Sequence, residues 1–212
     1  MDRLIASGLE ELSAILHQMD KLAYRAVSTA LRECVEGRDA YNEIRKMSET
    51  LSLMADQVED KVFELIARFQ PVASDLRTIK SYMKIAYDYV RFGRYALDMS
   101  YMNQKLGGIR DCDARITTHI KEMGEKALNM IRISSDSLRN RNPQLAEKII
   151  QIEKETDKEF LNLLDKLIKE TNISTRCAIS SASVAIYLER IADHATYIYK
   201  SIIYITTGRK ES

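Results

Sequence analysis

The chain is short of structure-breaking residues: two prolines and seven glycines in 212 positions leave long stretches unpunctuated. It is short of cysteine too, and Cys34, Cys112 and Cys177 lie far apart and are odd in number. That usage fits reduced cytosolic thiols better than a disulfide framework or a thiolate metal site. No charge of one sign dominates, with 32 Lys+Arg against 31 Asp+Glu, so the basic surplus that neutralises phosphates is absent and a nucleic-acid partner is not expected. No run of about 18 apolar residues occurs, so no membrane-spanning helix is expected. Met1-Asp2-Arg3-Leu4-Ile5 is followed by Gly8, Glu10 and Glu11 and lacks the apolar centre of a signal peptide. These absences lead to the expectation of a soluble, cytoplasmic protein. At 45% hydrophobic residues the chain is too apolar to be disordered, and its length suits one domain or two small ones.

What is present is helical periodicity. Ile5, Leu9, Leu12, Leu16, Met19, Ala23, Ala26 and Ala30 alternate spacings of four and three, which places them on one side of a helix that Gly37 ends. Ile44, Met47, Leu51, Met54, Val58, Val62, Leu65 and Phe69 form a second stripe, stopped by Pro71. A third helix is predicted from Ser74-Asp75, whose short oxygens can cap free amides, to Gly107-Gly108. A fourth starts near Asp113 and stops at Asn140-Arg141-Asn142. Asn142 then serves as cap, with Pro143 as first residue of a fifth that runs to Asn172. Ser174 or Thr175 opens a sixth that ends at Gly208. Helices of this length joined by short connections favour antiparallel bundles.

The two halves resemble one another. Asp60-Lys61-Val62-Phe63 corresponds to Asp157-Lys158-Glu159-Phe160, 97 positions later, and Tyr89 through Ala96 correspond to Leu188 through Ala195, 99 positions later. Two matches at nearly one offset indicate a duplicated unit. The expected fold is all-α: two tandem, pseudo-equivalent, antiparallel three-helix bundles over residues 1–108 and 109–212.

No phosphate-binding glycine loop and no nucleotide fingerprint is present, and His17, His119 and His194 are isolated, so catalysis has little support. One constellation stands out. Glu153 and Asp157 are four apart on the fifth helix, and Glu189 and Asp193 four apart on the sixth. Like charges at that spacing cost about 0.2–0.5 kcal/mol unless neutralised, and neither glutamate has a Lys or Arg three or four residues away. If the two helices are neighbours, four carboxylates converge on one groove. Hard oxygen donors suit Mg²⁺, Mn²⁺, Ca²⁺ or iron. A solvated acidic face is the alternative reading, because such pairs are common on exposed helices. His194 could support a metal as an outer donor or a further ligand, or be an ordinary histidine. In the first half Asp56 and Asp60 keep the acidic pair, but Val90 and Arg94 stand where Glu189 and Asp193 stand in the second. Arg94 is therefore expected to neutralise Asp56 and Asp60 by a salt bridge in place of an ion.

Tyr187-Leu188-Glu189-Arg190-Ile191-Ala192-Asp193-His194-Ala195, with Tyr204-Ile205-Thr206-Thr207-Gly208 after it, is similar to the signature of the PhoU family of phosphate-uptake regulators. Gln70-Pro71-Val72-Ala73-Ser74-Asp75-Leu76-Arg77 resembles that family's entry to its third helix, and the resemblance spans essentially the whole chain. It implies a cytosolic, all-helical, non-enzymatic regulator that restrains a phosphate ABC transporter and its signalling. The implied partners are the transporter's nucleotide-binding subunit or a sensor kinase, with the membrane reached only through them; a homodimer is compatible. The resemblance also implies iron or zinc held by paired acidic motifs, which map onto Glu153 with Asp157 and Glu189 with Asp193. In the first half only Asp56 with Asp60 matches. Two rival functions use the same residues: a carboxylate-bridged metalloenzyme that hydrolyses phosphoesters, and a metal-free helical scaffold.

Overall fold

The computed structural model describes residues 2–209. Met1 and residues 210–212, at the outer edges of the two expected units, lie outside the described residues. The described residues form six long helices: α1 (Asp2–Glu36), α2 (Tyr41–Phe69), α3 (Ala73–Leu106), α4 (Ala114–Asn140), α5 (Glu147–Lys169) and α6 (Thr175–Thr207). No strand occurs among the described residues.

The ends follow local chemistry. Asp113 caps α4 by accepting the backbone N–H of Arg115, and Ser174 caps α6 by accepting that of Cys177. Asn142 accepts the N–H of Gln144, but Pro143 opens a 3₁₀ turn (Pro143–Ala146) before α5 rather than α5 itself. That turn fits the poorer geometry of short helical connectors. The expected Ser74-Asp75 cap is not used: α3 starts at Ala73, preceded by Val72, with no side-chain hydrogen bond at the cap. Gly107 closes α3 at φ +77, a left-handed conformation that glycine adopts without steric cost.

Helices α1, α2 and α3 pack on one another, as do α4, α5 and α6, and the two triplets meet through α3 on α6 and α1 on α4. Their apolar stripes join into one continuous core. Leu12, Leu16, Leu51, Tyr89 and Phe92 from the first triplet and Ile116, Met130, Ile149, Leu188 and Ile198 from the second all belong to it. At Gly93 an added Cβ would stand 2.5 Å from Leu51 Cδ1 and 3.3 Å from Ser48 Cα, so the α2–α3 approach requires glycine there. The tyrosines of α3 and α6 take three settings: Tyr82, Tyr89, Tyr95 and Tyr199 are buried, Tyr187 and Tyr204 half-buried, and Tyr87, Tyr101 and Tyr197 exposed.

The cysteines depart from expectation. Cys112, in the connection between α3 and α4, and Cys177, in the first turn of α6, are joined as a disulfide with Cα atoms 5.8 Å apart. Their separation of 65 positions along the chain is erased when α6 packs against that connection. Only Cys34 is a free thiol, and it is buried.

Candidate metal centre

Helix α5 packs along α6, which brings the acidic faces of the two helices together. Glu153, Asp157 and Asp193 each contribute a carboxylate oxygen to a group whose atoms all lie within 4.8 Å of one another. That span matches opposite or neighbouring ligands of a hard cation with metal–oxygen distances of roughly 2.0–2.6 Å. All three residues are half-buried. Glu189 is half-buried beside them but outside that close triad.

Charge in this groove is poorly answered. Burial raises the Glu153 carboxyl above its ordinary pKa, with the charges of Asp157 and Asp193 adding to the effect. Glu189 is raised by burial and then by Asp193 and Asp157, and Asp193 by burial and then by Asp157. Lys154 and Lys200 act against this rise at Glu153, and Arg190 acts against it at Glu189 and Asp193, yet burial and the neighbouring carboxylates prevail at all three. The contrast lies on the same helix: Glu155 and Glu159 are bridged by Lys126 of α4 at 3.4 and 2.6 Å. Asp157 Oδ1 is buried without a hydrogen-bond partner, and such an atom costs about 1–3 kcal/mol or more when charged. An orphaned carboxylate oxygen, two further carboxylate oxygens within 4.8 Å of one another and of it, and charge that nearby cations only partly offset together fit a bound metal ion.

His194 does not join this oxygen cluster. Its Nδ1 pairs with Asp88 Oδ1 at 2.7 Å and its Nε2 faces the Tyr95 hydroxyl at 3.3 Å, so both ring nitrogens are engaged by α3. Arg91 donates to the same Tyr95 oxygen at 2.7 Å, and Tyr197 stands edge-on to the imidazole. Asp88 is a residue that sequence reasoning missed. The available signal was the 99-position offset, which makes Tyr95 the counterpart of His194 and so points to the α3 face carrying Asp88.

The first half is different. Asp56, Asp60 and Arg94 are exposed, and the expected salt bridge is absent: among the described residues no ion pair joins Arg94 to either aspartate. The Arg94 charge acts instead on Asp98, four residues along its own helix. Solvent meets the charges of Asp56 and Asp60 where the second half must answer buried ones. Between α2 and α3 lies a cleft of about 410 Å³, lined largely by Ala55, Val58, Met83, Ala86, Tyr87 and Val90, with Asp56 and Glu59 at its rim. Val90 makes this groove apolar where Glu189 makes its counterpart acidic.

The PhoU domain family model matches residues 9–102 and 120–202. A phosphate-specific transport system accessory protein PhoU homolog from Clostridium acetobutylicum is 31% identical, the match covering 98% of this chain and 96% of that protein. A homolog so named from Pseudomonas putida is 28% identical over 94% of this chain and 79% of its own length. The crystal structure of PhoU from Pseudomonas aeruginosa superposes with a TM-score of 0.88 at 23% identity, covering 96% of this chain and 99% of that one. The phosphate transport system regulatory protein PhoU from Streptococcus pneumoniae also superposes with a TM-score of 0.88, at 20% identity, over 98% of this chain and 99% of its own. The six-helix architecture and two family matches that together take in most of the sequence lead to one conclusion: this chain belongs to the PhoU family.

Proposed function

We propose that this protein is an accessory, regulatory component of a phosphate-specific transport system, a non-catalytic helical adaptor that holds a metal ion in the α5–α6 groove. The accessory role is supported by the relatives' names and by matches that extend over nearly the full length of the first of them. The partner surfaces in this reading are those of the transporter's nucleotide-binding subunit or a sensor kinase, met in the cytoplasm. No helix among the described residues is long and apolar enough to cross a membrane, so contact with the bilayer would pass through that partner.

The observation that carries the metal reading is the triad of Glu153, Asp157 and Asp193, converging within 4.8 Å with one buried oxygen of Asp157 lacking a hydrogen-bond partner. These three would hold the ion, and Glu189 would neighbour it. The oxygen-only donor set, with His194 turned toward Asp88, favours Mg²⁺, Mn²⁺, Ca²⁺ or iron over zinc. A bound cation would neutralise the cluster and stabilise the fold by mass action, about 2.7 kcal/mol at a metal concentration a hundred times Kd.

Elemental analysis of protein purified without chelators tests this reading. At least one metal equivalent per chain is expected, falling in Asp157→Asn and Asp193→Asn, with a melting temperature that rises on adding Mn²⁺. Metal-free protein whose melting temperature ignores divalent ions and both substitutions would support a plain scaffold instead. The adaptor reading also expects no phosphate release from simple phosphoesters; metal-dependent turnover lost in Glu189→Ala would overturn it in favour of a hydrolase.

A further inference from the structure

The connection between α3 and α4 is held to the rest of the molecule at several points. Arg176 Nη1 donates to the carbonyl oxygen of Leu106 at 2.7 Å and to that of Gly108 at 3.3 Å. Ser180 Oγ donates to the Gly108 carbonyl at 2.9 Å, and the Ile109 N–H donates to the carbonyl of Cys34 at 3.1 Å. Ile109 itself is fully buried. These contacts are made by α1 and α6 without help from sulfur. They hold the connection against α6 where residues 112 and 177 meet, with Cα atoms 5.8 Å apart, inside the range a disulfide spans.

The two sulfurs differ in setting. Cys112 is half-buried in a surface connection, whereas Cys177 is 5% exposed. Cys177 lies in the first turn of α6, its N–H bonded to the capping Ser174, beside Arg176. The positive end of the helix holds negative charge well. Cys34 is different again: fully buried, with its thiol pushed up to about 12 by burial, it stays a neutral thiol.

We propose that Cys112 and Cys177 form a reversible thiol–disulfide pair, open to exchange with small-molecule thiols and disulfides, that ties the α3–α4 connection to the first turn of α6. In the reducing direction a thiolate from solution bonds to the accessible Cys112 sulfur. The Cys112–Cys177 bond breaks, and Cys177 leaves as a thiolate at the helix N-terminus. A second small thiolate then attacks the mixed disulfide, releasing the Cys112 thiolate and a small-molecule disulfide, and both protein thiolates take up protons. Two small thiols are oxidised as one protein disulfide is reduced; a small-molecule disulfide drives the reverse. The hydrogen bonds to Leu106, Gly108 and Cys34 persist through the cycle, so reduction removes a covalent tie and leaves the fold in place.

The test uses the full chain equilibrated in glutathione buffers of graded oxidised-to-reduced ratio. Free thiols are counted after quenching in guanidinium, and disulfide-linked peptides are mapped by mass spectrometry without reduction. The proposal expects one free thiol per chain at the oxidising end and three at the reducing end, with residues 112 and 177 in one linked peptide. Closing a loop of this length raises the melting temperature by about 10 °C, reversibly. Cys112→Ser and, separately, Cys177→Ser remove the redox dependence of melting, while Cys34→Ser keeps it. Three free thiols at every ratio would overturn the proposal. So would a linked pair that survives millimolar reduced glutathione in the folded protein, since the bond would then be a permanent staple.

Discussion

At the scale of single residues, buried charge without sufficient partners is the recurring theme. Asp20 on α1 is 8% exposed, with Ser135 of α4 donating to its carboxylate and His17 4.0 Å away. Burial raises its carboxyl pKa, against the opposing effects of Ser135, His17 and Arg139. A carboxyl whose folded pKa exceeds its unfolded value binds its proton more tightly when folded. Its contribution to stability is therefore complete below the unfolded pKa and is lost as pH rises through the folded one. Asp20→Asn keeps a polar partner for Ser135 and removes the ionisable group. It is expected to gain about 1 kcal/mol over wild type at pH 7 and to lose that advantage toward pH 4, measured by urea denaturation at both. An equal loss at the two pH values would show that the ionised carboxylate is itself a needed structural partner. Such sites were only partly legible beforehand. Glu153, Asp157, Glu189 and Asp193 announced themselves by spacing, and the two glutamates also by missing intrahelical cations, whereas the exclusion of Glu189 from the close triad depends on how α5 crosses α6. The engagement of His194 with Asp88 depends on a contact between α3 and α6, spanning 106 positions of sequence.

At the scale of elements, the stripes and stop signals were readable because they are local. Gly37, Gly107 and Gly208 end helices and Asp113 and Ser174 begin them, as their chemistry requires. Two ends are displaced by a residue or more at exposed positions: α3 begins at Ala73, ahead of Ser74, at φ +44, and α5 stops at Lys169 rather than Asn172. The α2–α3 pair offers a test of how tight its packing is. Gly93→Ala gains about 0.8–1 kcal/mol of helix propensity. It also forces a Cβ onto the fully buried side chain of Leu51 and toward the Ser48 backbone. Overpacking typically costs about 1–3 kcal/mol, so a net loss of about 1 kcal/mol is expected in denaturant titration. A stabilised variant would mean that α2 can shift outward freely.

At the scale of the whole molecule, one core runs through both triplets, and much of the apolar surface of α3 is covered by α6. The sequence repeat suggests two units, 1–108 and 109–212. The shared core argues that neither holds its fold well without the other, because separating them would expose Tyr95, Ala96 and Met99 on one side and Ala195 and Ile198 on the other. Urea unfolding followed by far-ultraviolet circular dichroism and by tyrosine fluorescence is expected to give coincident, single transitions. Two separated transitions would establish independent stability for the units and confine the coupling to a surface contact.

Tyr95 and His194 occupy matching places, 99 positions apart, and touch each other across the α3–α6 seam. A position that meets its own counterpart lies on the axis relating two copies. In a pair of identical subunits such a place would set like against like: two phenols, or two imidazoles that repel when both are protonated. Covalent fusion of the copies lifts that constraint, and here the axis carries a hydroxyl facing a ring nitrogen, with Asp88 on one flank and Arg91 on the other. The molecule gains a polar latch at its centre that no mirror-faithful dimer of one sequence could assemble.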